Sequence, residues 1–175
     1  EGAPTMGYGS EAIIQRIGVK TNKGIISTPL GANMQVKYNL DSDQTLLHIF
    51  SDWADSHGRK VLMPFTANCS IDALRACDTY IALAADKKYL MGRIADCGEP
   101  WDANHPQDTP GYSVPDNYMA ASQTFWVALD DVEYGDEFDF TNWWTSPAQG
   151  TEINSLEQMF TDTKVAMMYA SRIDY

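Results

Sequence analysis

The residues with the most chemistry to offer begin at Cys69, in "NCSIDALRAC". There Ser70 is a helix-capping type, Asp72 suits the positive end of a helix, and Ile71, Leu74 and Cys77 share one helical face. A thiol at a helix start is a candidate nucleophile because the dipole favours the thiolate, and its general base would come from His48, His57 or His105. Such a set describes a cysteine-dependent hydrolase. No His lies in a recognisable strand downstream of Cys69, however, and no orienting partner can be assigned. Cys is also a common core residue, so a packed thiol is the simpler expectation. The chain holds three cysteines, Cys69, Cys77 and Cys97, which allow at most one intramolecular disulfide. Cys69 with Cys97 is the pairing expected, with Cys77 as the alternative partner. Asn68, Cys69 and Ser70 also spell a glycosylation sequon, but the triplet recurs by chance and reads here as a helix start.

"HIFSDWADSH" gathers His48, Asp52, Asp55 and His57, types that ligate transition metals. Only a helix would bring His48 and Asp52 to one face. The run before them reads as strand, so the ligands diverge and solvated polar residues are expected. Calcium suits an acidic chain better, since "DDVEYGDEFD" supplies Asp130, Asp131, Asp136 and Asp139 as hard oxygen ligands. Neither this stretch nor "NLDSD" has the spacing of an EF-hand loop. No other cofactor is expected.

Adjacent Trp143 and Trp144, in "TNWW", point to opposite faces if they lie on a strand, so at most one is core. The other, with Asn142 beside it, is a candidate platform for a sugar ring, whose hydroxyls Asn and Asp can bind. Trp101 and Trp53 are further candidates in loops. Trp is often only partly buried for ordinary reasons, which is the competing reading.

These residues must be positioned by strands. "AIIQRIGVKTNKGIIS" reads as a hairpin about "TNKG", and "MQVKYNL" alternates apolar with polar residues as a half-buried strand does. "TLLHIF" and "KVLMPF" are short apolar runs that suit buried strands, with Pro64 confined to an edge or a bulge. "TYIALA" and "YLMGRI" form a hairpin across "ADKK", and "SQTFWVAL" is another strand. In "VEYGDEFDF" the expectation is strand, tight turn, strand: Gly135 takes a positive backbone angle, Phe138 and Phe140 face inward, and Glu137 and Asp139 face water. "SLEQMF" has helical spacing and "KVAMMYASRIDY" reads as a final strand. Residues 98–117, with four prolines, read as one long surface loop and a place for partner contacts. The sum is one mainly β domain over 1–175, an antiparallel β-sandwich of jelly-roll or Greek-key type with one or two short helices.

Composition narrows the functions. A net charge of −12 with only 12 Lys and Arg argues against nucleic acid or an anionic membrane as partner, and no apolar run is long enough to insert in a bilayer. The chain starts at Glu1 rather than Met, which reads as processing. The expected function is non-enzymatic: a structural or assembly protein of a virion, phage particle or extracellular filament, contacting copies of itself or neighbouring subunits at an extracellular or virion surface. The alternative is a lectin-like attachment module that binds glycan through its Trp residues.

Overall fold

A computed structural model describes residues 11–17, 20–22, 25–27, 35–38, 46–65, 67–102, 109–115, 118–120, 123–145, 154–162 and 167–172. His105, "NLDSD" and the "KG" of "TNKG" lie outside the described residues. In chain order the elements are β1 (Glu11–Ile17), β2 (Lys20–Asn22), β3 (Ile25–Ser27), β4 (Gln35–Tyr38), α1 (Leu46–Asp55), β5 (Val61–Phe65), α2 (Ile71–Arg75) and β6 (Thr79–Ala84). There follow β7 (Tyr89–Gly98), β8 (Tyr118–Ala120), β9 (Phe125–Gly135), β10 (Trp143–Thr145), β11 (Asn154–Ser155), α3 (Leu156–Asp162) and β12 (Met167–Arg172).

The protein is mainly β, but its large sheet is mixed, which corrects the purely antiparallel expectation. Eight strands run in the order β11-β10-β12-β1-β6-β7-β9-β5, and β2-β3-β4-β8 form a second, four-stranded sheet. The parallel pair is β1 with β6, Ala12 opposite Thr79 through Ile17 opposite Ala84. These strands lie at the centre of the large sheet and are buried on both faces, as their near-continuous apolar sequences require. Period-two alternation then divides them between two cores. Ile13 and Ile17 of β1 join Tyr80, Ala82 and Ala84 of β6 on one face. Ala12 and Ile14 join Ile81 and Leu83 on the other.

The first face is covered by α1, where "TLLHIF" was expected to be a strand. Leu47, Phe50 and Ala54 recur at helical spacing and all lie within the first core, while His48, Asp52 and Asp55 face water. The apolar pattern continues through "SDWADSH", so the segment is long enough for a helix once the polar residues are read as its wet side. By contrast β5 is a strand at the outer edge of the sheet, where Pro64 costs no ladder hydrogen bond. That edge is partly covered, because the Leu62 N–H donates to the Ser113 carbonyl at 3.0 Å. Within the expected surface loop, Trp101 pairs with Gln123, and Trp101, Tyr112 and Val114 pack with Leu62, Trp126 and Ala128.

The second strand expected in "VEYGDEFDF" is absent. β9 runs to Gly135, the chain bends at Asp136 and Glu137, and residues 138–140 belong to no ladder. Alternation survives, with Phe138 and Phe140 buried and Glu137 and Asp139 exposed, because packing on the second core demands it. Gly135 has no positive φ; it lies opposite Tyr89, whose ring a Cβ would overlap. Close approach, not a turn, requires glycine there.

Candidate functional site

The segment that covers the second core also makes an open cleft of about 530 Å³. One side is residues 137–144, joined by Lys87 from the β6–β7 turn and by Ser155 and Glu157 at the start of α3. Lys87 adopts a positive φ of 75° in that turn, and its carbonyl accepts the Phe138 N–H at 2.9 Å, which fixes the entry of the segment. Phe138 then stands edge-on to Tyr89 at 5.2 Å and to Phe140 at 5.0 Å. The two Phe rings belong to the second core and line the cleft from behind.

Asn142 carries the chain back toward the sheet. Its φ of 68° is tolerated by Asn better than by most residues, and the turn closes with the Trp143 N–H donating to the Phe140 carbonyl at 3.1 Å. β10 follows, and its two Trp side chains part as strand geometry dictates. Trp143 is 4% exposed, within the second core, and the Arg172 guanidinium lies 5.6 Å from its ring. Trp144 is half-buried in the cleft wall, opposite Ser155 on β11 and Ser171 on β12. Its indole Nε1 is enclosed and, among the described residues, has no hydrogen-bond partner. A buried donor left without an acceptor costs about 1–3 kcal/mol, a cost that an acceptor placed beside the indole would recover.

Charge is uneven in the cleft. The Thr141 N–H donates to Asp139 Oδ1 at 2.9 Å, and this bond with the Thr141 hydroxyl holds the Asp139 carboxyl below its ordinary range. It therefore stays an acceptor at neutral pH. Lys87 Nζ lies 3.5 Å from Glu157 Oε2 and 5.9 Å from the centre of the Phe140 ring. Beneath, burial and then Glu133, which accepts the Tyr89 hydroxyl proton at 2.8 Å, push the Tyr89 phenol up to about 12. The cleft thus combines an aromatic wall, carboxylates, an amide and hydroxyls.

The structure brings together Asn142, Trp143, Trp144 and Asp139 of the residues singled out in sequence and disperses the rest. Trp101 is not the exposed platform expected: it is 3% exposed and packs in a separate cluster against Trp126. Trp53 is on α1, stacked on His57 at 4.0 Å. Asp130 takes hydrogen bonds from Lys60 and the Tyr112 hydroxyl, both at 2.7 Å, while Asp131 pairs with Arg93 at 2.5 Å. Asp136 is exposed in the bend after β9. The four carboxylates thus do not converge as the calcium reading requires. Although α1 does place His48 and Asp52 on one face, among the described residues no group of three or more His, Cys, Asp or Glu is arranged to hold a metal ion.

Cys69, Cys77 and Cys97 are free thiols, half-buried against the first core, so the Cys69–Cys97 disulfide is not formed in this structure. Cys69 precedes the Ser70 cap of α2, and burial pushes its thiol up, against the activation expected from a helix start. A hydrogen bond with Tyr169 opposes that shift only in part. Cys77 is pushed further, to about 12, by burial and then by Glu11 and Asp78. Lys87, Ser155 and Glu157 were not found from sequence, because nothing local in "ADKK" or "SLEQMF" tells which distant segment they will face.

No helix among the described residues is long and apolar enough to cross a membrane. The chain matches no protein-family model, no curated protein and no solved structure.

Proposed function

We propose that this chain is a non-enzymatic attachment module that receives a carbohydrate in the cleft beside Trp144. The observation that carries the reading is the make-up of that cleft: a half-buried Trp wall over a floor of Phe rings, with Asn142, Thr141, Ser155 and ionised Asp139 around it. Aromatic faces take the apolar face of a sugar ring, and the amide, hydroxyls and carboxylate exchange hydrogen bonds with its hydroxyls. Trp144 offers a further donor once its ring turns toward the ligand.

Carriage on a virion, phage particle or extracellular filament belongs to the same proposal, with other copies of the chain or neighbouring subunits as assembly partners. Its support is the acid-rich composition, net charge −12, and the long segment 98–117, a natural place for contacts. A layered sandwich or jelly roll is the arrangement this role would use, with the four-stranded sheet as its second layer.

An oligosaccharide array, followed by titration with intrinsic Trp fluorescence, tests the binding. Saturable binding that Trp144→Ala abolishes is expected. Binding unaffected by that substitution, or no sugar bound by the folded protein, overturns the reading. Light scattering after gel filtration tests assembly: a large uniform particle is expected, and a monomer at all concentrations rejects it.

A further inference from the structure

We propose that Asn68 is the acceptor for an N-linked glycan, added as the chain enters a eukaryotic secretory pathway. The inference rests on the extracellular or virion-surface part of the reading above and is independent of the cleft. Asn68, Cys69 and Ser70 are the chain's one Asn-X-Ser/Thr triplet, and the residue between is not Pro, which the acceptor sequence forbids. A triplet present by chance can fall anywhere in a fold, strands and cores included. One that carries a glycan must fall on an exposed, irregular stretch, because the sugar is bulky and hydrated.

This triplet meets that demand. It lies in the bend between β5 and α2, with Asn68 and Ser70 both exposed. Ala67 before it is 6% exposed in the first core and Leu74 after it is fully buried there, so Asn68 stands where the chain briefly leaves the core. Cys69 is a free thiol, and no disulfide closes the triplet. Ser70 serves two ends without conflict. In the folded chain its hydroxyl oxygen accepts the Ala73 N–H at 3.1 Å and caps α2, whereas a transferase reads that hydroxyl before the chain folds. Tyr169 adds a surface for the sugar: it hydrogen-bonds the Cys69 thiol and is 37% exposed, the exposed large hydrophobic side chain among the described residues. An aromatic face beside the acceptor suits the apolar face of the first sugar.

In the transfer, the Asn68 side-chain nitrogen bonds to the anomeric carbon of a lipid-pyrophosphate-linked oligosaccharide. The bond from that carbon to the pyrophosphate oxygen breaks, the lipid pyrophosphate leaves with the electron pair, and one amide proton passes to a base of the transferase. The test is expression of the full chain behind a secretion leader in cultured eukaryotic cells, with mass spectrometry of the tryptic peptide Val61–Arg75 before and after peptide-N-glycosidase. Most chains should carry one glycan on that peptide, and its enzymatic release should leave Asn68 deamidated. Asn68→Gln and Ser70→Asp should each abolish the modification in a folded protein, the second because Asp keeps the α2 cap but lacks the hydroxyl. Ser70→Thr keeps both and should retain the glycan. A bare peptide from folded parent protein, collected from the medium or the secretory compartment, overturns the proposal. So does a glycan that survives Ser70→Asp. A glycosylated chain whose cleft binds no sugar removes the cleft reading alone, and a cleft that binds sugar in a chain with bare Asn68 removes this proposal alone.

Discussion

The two adjacent tryptophans of β10 provide the sharpest test of how the site is built. Trp143 is 4% exposed and packed in the second core, so Trp143→Ala should cost about 3–5 kcal/mol. At about 2–4 °C per kcal/mol for a domain of this size, that is a loss of about 6–20 °C in Tm. Trp144→Ala should behave differently. Its ring is half-buried, which limits the packing lost, and its removal also relieves an enclosed N–H without an acceptor, a term of about 1–3 kcal/mol in the opposite direction. The two terms nearly cancel, leaving a net change within about 1 kcal/mol. Trp144→Phe isolates the second term, since a ring remains while the donor goes, and stability should hold or rise. Urea denaturation followed by far-UV circular dichroism measures all three without relying on Trp emission. Equal losses for Trp143→Ala and Trp144→Ala would show both rings to be core and would remove the cleft wall. A large loss in Trp144→Phe would show that the N–H is satisfied after all.

Other consequences follow from contacts elsewhere in the sheet. Gly135→Ala should cost about 1–3 kcal/mol by driving a methyl group into the Tyr89 ring, and Tyr89→Leu in the same chain should recover part of it; additive losses in a double-mutant cycle would refute the contact. Burial alone would raise the Asp130 pKa, but hydrogen bonds from Lys60 and Tyr112 outweigh it and hold the carboxyl below its ordinary range. With the folded pKa depressed, its stabilisation is present above the unfolded value of about 3.9 and is lost as pH falls through the folded one. Asp130→Asn should therefore flatten the fall of stability below about pH 4 that the parent protein shows in chemical denaturation, and parallel curves would refute it. Cys77, with its thiol pushed up to about 12, should be the last of the three cysteines alkylated by iodoacetamide in the native state, while unfolding equalises them. Mass spectrometry of timed samples decides this, and fast native labelling at Cys77 would contradict its burial.

Much of the scaffold was legible because local pattern and tertiary demand agree. "TYIALAADKKYLMGRI" reads as a hairpin in sequence and is β6 and β7, and "SLEQMF" is a helix in both. The final strand and the edge position of Pro64 are likewise as expected. Where the reading failed, two patterns overlapped. "TLLHIF" is too short to separate strand from helix, and only Trp53 and Ala54 beyond it complete the helical stripe of α1. The parallel pairing of β1 with β6 leaves no mark in either strand, because the partner lies 67 residues away. Trp101 shows the same limit, since a Trp in a Pro-rich loop looks exposed until Trp126 and Leu62 are seen to cover it.

The failure at "EFDF" is also what makes the cleft. Had residues 137–140 formed the second strand of a hairpin, their backbone would have been tied into a ladder and Phe138 and Phe140 would have lain flat on a sheet. Instead the backbone is anchored at a few points, the Phe138 N–H on Lys87 and the turn through Asn142, while buried rings hold the rest. A segment held by its inner side chains leaves its outer ones, Glu137 and Asp139, free to face a cavity rather than a neighbouring strand. The alternation that reads in sequence as ordinary strand chemistry thus builds the site: its buried half attaches the segment to the core, and its wet half gives the cleft its charge.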